Sequence, residues 1–284
     1  MLISYSQNFE DVILKRVLFD IKDGFYIDVG ANDPIIHSTT KMFYDLGWKG
    51  VNIEPVAEFY NKLKTDRVRD VNLELAIDRR NGERNFFEVP GTGLSSLNEK
   101  ATKNLADKNN FKCKQRKIKT TTLNSIFKKY VKSDVHFLKI DVEGSELSVL
   151  KSIDLTVFRP WIIVVEAVKP LTRIESYKEW EFLLIDNNYK DVYFDGLNKF
   201  YLNQEHNYLE SRFELPPSIF DNFILYEHYL ATNKSVNLED MLSQKSEQVE
   251  LLQVELSGIY RSQSWKLTYP LRWIVFFMNR ILSK

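Results

Sequence analysis

Three acidic residues follow two of the most apolar stretches of the chain, and their positions suit proton transfer or metal binding. Asp141 and Glu143 come directly after the apolar stretch 135–140, and Glu166 ends the stretch 159–166. Catalytic groups in open α/β sheets collect beyond the carboxyl ends of the strands. We therefore expect Asp141 to act as a general base or a metal ligand, with Glu143 and Glu166 as further candidates.

These acids are compatible with two kinds of chemistry and with one purely structural role. A carboxylate can accept the proton of a weakly acidic hydroxyl late in a reaction. The paired acids Asp141 and Glu143 could instead hold Mg²⁺, which would lower the pKa of that hydroxyl and orient it. Glu143 could also cap the helix expected at 145–153, or form a salt bridge with it. The residues alone leave these alternatives open.

A second pattern, closer to the N-terminus, indicates a nucleotide-binding βα unit. Phe25–Val29 suits a buried strand, and Gly30 then turns the chain sharply. Glu54 ends the following strand, where an acid can accept hydrogen bonds from both ribose hydroxyls. A pyrophosphate usually requires G-x-G-x-x-G, and only one of these glycines is present, so the pattern favours adenosine without phosphate, as in S-adenosylmethionine. An ordinary βα turn is the alternative for the first stretch alone.

Alternating strands and helices predict the framework that would hold these residues. The predicted strands are 25–29, 50–55, 71–77, 84–89, 118–122, 135–140, 159–166, 189–194 and 199–202. The predicted helices are 7–19, 42–46, 56–63, 123–130, 145–153 and 180–186. This order indicates an α/β domain, residues 1–225, whose sheet has an antiparallel edge formed by the last two strands.

Three polar stretches between residues 78 and 119 are interpreted from their turn and charge signals. Asn81-Gly82 is a strong hairpin signal between the strands predicted at 71–77 and 84–89. The loop 90–96 is expected near the ligand cleft. Residues 100–119 are rich in Lys and Asn and predict a solvated surface insertion.

Whole-chain composition excludes several classes of protein. Of the 284 residues, 44% are hydrophobic, which supports a normal core. The formal net charge is zero, so no global field favours nucleic acid as a partner. The single cysteine, Cys113, excludes a disulfide within the chain and argues against a cysteine-based zinc site. The start lacks a basic n-region and no apolar run reaches about 18 residues, so we expect a cytoplasmic location.

Residues 226–284 have a different pattern and predict a C-terminal helical appendage. In 226–260, six apolar residues follow alternating three- and four-residue steps, with Lys245 breaking the series: Leu238, Leu242, Val249, Leu252, Leu256 and Ile259. This heptad seam predicts a coiled-coil homodimer or a lone helix packed on the domain. Residues 261–284 carry five basic residues and no acids, interleaved with aromatic residues. They predict a membrane-surface tail, with a partner-binding or core-docking tail as the alternative.

Several short motifs occur in an order that resembles one family. They are Asp28-Val29-Gly30-Ala31-Asn32-Asp33, Gly47-Trp48-Lys49-Gly50, Ile53-Glu54-Pro55, Gly93-Leu94-Ser95-Ser96 and Phe137-Leu138-Lys139-Ile140-Asp141-Val142-Glu143-Gly144. Later segments extend the match, namely Arg159-Pro160-Trp161, Val165-Glu166-Ala167, Trp180-Glu181, Asp195-Gly196-Leu197-Asn198 and Pro216-Pro217. Together they resemble the FkbM family of S-adenosylmethionine-dependent methyltransferases over roughly residues 4–225.

The resemblance implies a class I methyltransferase, Rossmann-like sheet and transfer of a methyl group to oxygen. The cofactor-binding residues that it implies are Asp28, Gly30, Ala31, Asn32, Glu54, Pro55, Ile77 and Asp78. The first four belong to a loop that contacts the methionine part, Glu54 holds the ribose, and the last two flank the adenine. The tail at 262–272 resembles a terminal segment of bacterial surface-polysaccharide glycosyltransferases and methyltransferases. That likeness implies a sugar acceptor. The basic and aromatic residues of 261–284 separately predict a position on the inner face of the bacterial membrane.

Two other functions compete with an O-methyltransferase that acts on a sugar hydroxyl. One is a non-catalytic scaffold that recruits polysaccharide-assembly enzymes through residues 237–284. The other is a nucleotide-sugar oxidoreductase. Intact Asp28, Glu54 and Asp141 weigh against the scaffold. The missing glycines weigh against the oxidoreductase.

Overall fold

Strands and helices alternate through Met1–Leu225, the first of two units into which the chain divides. The strands are β1 Leu2–Ser4, β2 Phe25–Val29, β3 Lys49–Ile53, β4 Val71–Leu73, β5 Ala76–Ile77, β6 Gly82–Glu88, β7 Lys114–Thr121, β8 Phe137–Ile140, β9 Ile162–Glu166, β10 Tyr189–Phe194, β11 Asn198–Asn203 and β12 Phe223–Leu225. The helices are α1 Glu10–Val17, α2 Lys41–Asp45, α3 Ala57–Asp66, α4 Glu99–Asn109, α5 Leu123–Tyr130, α6 Glu146–Leu150 and α7 Phe182–Ile185. This computed structural model describes residues 1–282, without the side chains of Val236, Arg280, Ile281 and Leu282.

Seven strands form the main sheet, in the order β10-β11-β9-β8-β2-β3-β4. β2, β3, β4, β8 and β9 are parallel, and β11 runs antiparallel to both β9 and β10. The predicted α/β sheet with an antiparallel edge is therefore present. The chain proceeds from β2 to β3 and β4, and later returns to the other side of β2 at β8. Ligands bind in open sheets at such a switch point, beyond the carboxyl ends of the strands.

Side chains alternate between the two faces of the sheet, and each face has its own apolar core. Ile27 and Val29 of β2 belong to a cluster that includes residues of α5 and α6. Tyr26 of β2 and Phe137 of β8 belong to a second cluster, which includes residues of α1 and α2. Asp28 lies two residues after Tyr26 in β2, and Lys139 lies two residues after Phe137 in β8. Because side chains alternate, Asp28 and Lys139 are on the same face of the sheet as Tyr26 and Phe137, which is the face that carries α1.

A separate sheet of three strands, in the order β5-β7-β6, corrects three expectations for residues 71–122. The strand predicted at 71–77 is two strands, with β4 in the main sheet and β5 in the small one. The hairpin expected at Asn81-Gly82 is wrong, because β5 and β6 both pair with β7 and not with each other. The insertion expected at 100–119 contains α4 and most of β7. Because α4 buries only Thr102 and Ala106, its sequence has little apolar periodicity.

The second unit, Tyr226–Lys284, contains three helices among its described residues. They are α8 Tyr226–Arg261, α9 Gln263–Leu267 and α10 Tyr269–Leu282. The heptad seam lies on α8, and its six apolar residues are each about half exposed or more. Of the predicted tail, Lys284 and the side chains of Arg280 and Ile281 lie outside the described part. Within that part, no helix has both the length and the apolar character needed to cross a membrane.

Candidate active site

A cavity of about 780 Å³ opens at the switch point of the main sheet. Segments that follow β2, β3, β8 and β9 line it, together with the loop at 91–97 between β6 and α4. Its volume lies in the upper part of the range for small-molecule sites, about 300–1,000 Å³. Two groups of lining residues are called here the two halves of the cavity: one is built around Gly30 and Glu54, and the other around three acids.

Gly30 fixes the turn after β2. Its φ is +85°, and a Cβ added there would lie 1.8 Å from the backbone oxygen of Asp141, so only glycine fits. The amides of Gly30 and Ala31 donate to the carbonyl oxygen of Ile53, at 2.9 and 3.2 Å. Asn32 follows with φ +53°, and its buried Oδ1 has no hydrogen-bond partner among the described residues. The turn is therefore rigid and offers a free acceptor.

Glu54 lies directly after β3, with 4% of its surface exposed. Its Oε2 accepts a hydrogen bond from the backbone N–H of Asn32 at 2.8 Å, and its Oε1 accepts one from the backbone N–H of Val56 at 2.6 Å. Burial raises the pKa of this carboxyl to about 7, although the two amides oppose the shift. Because each carboxylate oxygen has two acceptor positions, both oxygens can accept one further hydrogen bond.

Lys139 is a buried cation between several acids. It is 7% exposed, lies beside Asp28 in the register of β8 and β2, and donates to Asp141 Oδ2 at 2.8 Å. Burial lowers the pKa of the ammonium, but the charges of Asp141, Asp28 and Glu10 outweigh burial and raise it above its usual value. Asp28 accepts a hydrogen bond from the Thr40 hydroxyl at 3.0 Å, and burial raises the pKa of its carboxyl.

Asp141, Glu143 and Glu166 form a cluster in which one carboxylate oxygen of each lies within 4.8 Å of the others. The pairing of Ile140 with Val165 brings Asp141 and Glu166 side by side at the ends of β8 and β9. Burial raises the pKa of Glu143 and of Glu166 well above the usual value, and the charge of Asp141 adds to both shifts. Both glutamates therefore take up a proton more readily than an exposed glutamate does.

Other side chains hold the turn that carries Glu143. Glu143 and Gly144 have φ of +54° and +91°. The Gly144 amide donates to Glu146 Oε1 at 2.9 Å, and the Gly144 carbonyl accepts from Asn98 Nδ2 at 2.9 Å. The Ser96 hydroxyl donates to the Val142 carbonyl at 2.9 Å. Glu143 itself makes no hydrogen bond or ion pair with a described residue, so Glu146, and not Glu143, takes the structural role at this helix start.

Most of the residues that the sequence suggested line this one cavity. They are Asp28, Gly30, Ala31, Asn32, Glu54, Pro55, Ile77, Asp141, Glu143 and Glu166. Asp78 is not among the lining residues, and its carboxylate pairs with Arg84 at the surface of the small sheet.

Sequence reasoning missed Lys139 and much of the remaining lining. Lys139 had a signal, because it is the one charged residue within the apolar strand Phe137–Ile140. An apolar wall consists of Val56, Phe59, Phe86 and Leu97. The lining also includes Gln7, His37, Val168, Leu171, Thr172, Arg173 and Leu197. These residues come from segments far apart in the chain, and none belongs to a motif that indicates a site.

The sheet order and the cavity at its switch point define an α/β protein of the nucleotide-binding type. The family described as the Methyltransferase FkbM domain matches residues 28–191, more than half of the chain. The chain belongs to the FkbM methyltransferase family and is therefore a methyltransferase. No protein of curated function matches it.

Proposed function

We propose that this protein uses S-adenosylmethionine to methylate a hydroxyl oxygen of a sugar, in the synthesis of a bacterial surface glycan. The observation that carries the proposal is that one cavity is lined by two groups of residues suited to different chemistry. One half has a rigid glycine turn and a buried carboxylate, and the other has three clustered acids. The first half suits a nucleoside, and the second suits deprotonation of a hydroxyl.

The residues of the first half fit the chemical groups of the cofactor. Glu54 has two free acceptor positions for ribose hydroxyls. Phe86 and Ile77 are apolar and buried at the cavity wall, which suits an adenine ring. Asn32 Oδ1 and Thr39 Oγ1 are buried, line the cavity and have no hydrogen-bond partner among the described residues. They can bind the amino and carboxylate groups of the methionine part.

The second half must remove one proton from the acceptor hydroxyl. When bound, S-adenosylmethionine supplies a sulfonium methyl group, which passes to the hydroxyl oxygen while sulfur keeps the electron pair of the broken bond. The protein must orient the hydroxyl and accept its proton. Asp141 is the first candidate, because it follows β8 at the switch point and the Lys139 ammonium, 2.8 Å from its Oδ2, fixes the position of its side chain. Mg²⁺ on Asp141 is the alternative, and EDTA distinguishes the two roles by removing activity only in the second.

The acceptor assignment rests on the lining of the cavity and on the tail. Gln7, His37, Thr172 and Arg173 give the cavity hydrogen-bonding side chains of several kinds, which suits a molecule with many hydroxyls. The likeness of the tail to terminal segments of surface-polysaccharide enzymes adds the glycan context.

The second unit supports two further parts of the proposal, which are a membrane-surface anchor and a homodimer. In α10, Leu271, Trp273 and Phe276 are 65%, 56% and 63% exposed, which suits a helix lying at the lipid interface on the inner face of the membrane. On α8, the heptad seam that includes Val249 and Leu252 is exposed, which suits pairing with a second copy of this chain. Dimerisation would double the number of anchors.

Calorimetry with the full chain tests the cofactor first, with S-adenosylmethionine and NAD as the two ligands. We expect S-adenosylmethionine to bind and NAD not to bind, and the reverse would support an oxidoreductase. Incubation with methyl-labelled cofactor and glycan fractions of bacterial envelopes tests the acceptor. Label should enter glycan and resist alkali, as a methyl ether does, whereas a methyl ester would be hydrolysed.

A further inference from the structure

The three clustered acids are arranged as a set of ligands open to the cavity. Asp141, Glu143 and Glu166 all line it, and one oxygen of each lies within 4.8 Å of the other two. They come from two neighbouring strands and the left-handed turn at Glu143, so their positions are set by the sheet and by the contacts of that turn. The cluster is therefore preformed.

Two of the three acids, Glu143 and Glu166, have no ion-pair partner among the described residues. Glu166 is 7% exposed, yet its Oε2 makes no hydrogen bond among the described residues, and neither does the buried Oε2 of Glu143. Lys139 contacts only one of the three acids, through Asp141 Oδ2. The same ammonium also faces Asp28 and Glu10. Among the described residues no cation forms an ion pair with Glu143 or Glu166, and two buried carboxylate oxygens remain unmatched, which is costly unless a cation or protons supply the balance.

We infer that Asp141, Glu143 and Glu166 together bind one divalent cation. Hard cations such as Mg²⁺ and Ca²⁺ prefer carboxylate oxygens. Opposite ligands lie about 4.0–4.2 Å apart around Mg²⁺ and about 4.6–5.2 Å apart around Ca²⁺, twice their metal–oxygen distances. The limit of 4.8 Å in this cluster lies within the largest ligand separation around Ca²⁺, and three ligands of Mg²⁺ would have to move closer together. Asp141 would coordinate through Oδ1, because Oδ2 is bound to Lys139.

The evidence for the cation site is independent of the proposed function, but the role suggested for the cation rests on that function. An ion held by three carboxylates and facing the cavity keeps coordination positions for the acceptor. Two neighbouring hydroxyls of a sugar could occupy these positions, which would place one of them for reaction. If the cation binds the acceptor in this way, the acceptor must have two neighbouring oxygen atoms that can coordinate the cation.

Binding of Mn²⁺ to the chelator-washed full chain tests the inference without any acceptor. Loss of the electron paramagnetic resonance signal of free Mn²⁺ measures the bound fraction, and Mg²⁺ and Ca²⁺ serve as competitors. We expect about one Mn²⁺ per chain. E166Q and E143Q should each weaken binding at least about tenfold. E99Q is the matched control, because Glu99 is an exposed acid paired with Lys103 on α4, and it should leave binding unchanged.

Two results would overturn the cation site. One is no stoichiometric Mn²⁺ at millimolar concentration, and the other is equal affinity in E166Q, E143Q and the unaltered chain. Binding of S-adenosylhomocysteine, measured by calorimetry in EDTA, shows whether each variant is folded and tests the cofactor separately. Nucleoside binding without Mn²⁺ would refute the cation and leave the proposed function standing. Mn²⁺ binding that depends on Glu143 and Glu166, without nucleoside binding, would support the cation site and refute the proposed function.

Discussion

The two units of this chain differ in where their apolar residues lie. In Met1–Leu225, large side chains such as Trp48, Phe137 and Trp180 are buried within the cores on either face of the sheet. In the second unit, Leu252 of α8 and Phe276 of α10 are 62% and 63% exposed. The first unit packs many of its large apolar side chains into two cores, whereas such side chains in the second unit are open to contact with a partner. We therefore expect chemistry to depend on the first unit and location on the second.

The largest effect should come from Asp141→Asn in the first unit. Since asparagine cannot accept the proton, methyl transfer to the glycan acceptor should fall about 10²-fold or more. Affinity for S-adenosylmethionine should stay close to that of the unaltered chain, because the Asp141 carboxylate makes none of the proposed cofactor contacts. Transfer of labelled methyl and calorimetry measure the two quantities. Full activity in this variant would remove Asp141 from the reaction.

Glu54→Ala should have the next largest effect, on the cofactor. Loss of a charged hydrogen-bond acceptor should weaken S-adenosylmethionine binding by about 1–3 kcal/mol. Glu58→Ala provides the control, since Glu58 is an exposed acid on the neighbouring helix α3. Unchanged affinity in a folded Glu54→Ala protein, by calorimetry, would show that Glu54 is not in the site.

The pH dependence of cofactor binding should sharpen the role of Glu54. Burial raises its pKa to about 7 in the free protein, and ribose hydroxyls that donate to the carboxylate would lower that pKa in the complex. Binding then releases a proton, so affinity should fall as pH decreases through 7, by about tenfold between pH 8 and pH 6. In Glu54→Gln the dependence should disappear, and a dependence that persists there would belong to another group.

Removal of the second unit should have the smallest effect on the cavity and should abolish membrane binding. A chain that ends at Asn233 should bind S-adenosylmethionine with affinity unchanged within about twofold. The full chain should co-sediment with anionic liposomes, because Arg261, Lys266 and Arg272 each contribute up to about 1 kcal/mol near the surface. Salt should weaken that binding. Equal recovery of both chains in the supernatant at low salt would contradict the anchor.

The sequence was informative wherever local chemistry sets the structure. The strands of the main sheet and the positions of Gly30, Glu54 and Asp141 follow from apolar runs and the residues that end them. The first part of β7, residues 114–117, was not predicted as a strand. Only Ile118 and Thr120 of β7 are buried, so the rest of the strand can be rich in lysine and carries no apolar pattern. The lining contributed by Leu171 and Leu197 depends on how distant segments meet, and no local pattern encodes that.

A crystal structure of the full chain with S-adenosylhomocysteine tests the central claim most directly. We expect the ribose hydroxyls within hydrogen-bond distance of Glu54, the adenine against Phe86 and Ile77, and the sulfur directed toward the half that holds Asp141. Nucleoside bound elsewhere, or bound here with its sulfur directed away from Asp141, would contradict the assignment of the two halves.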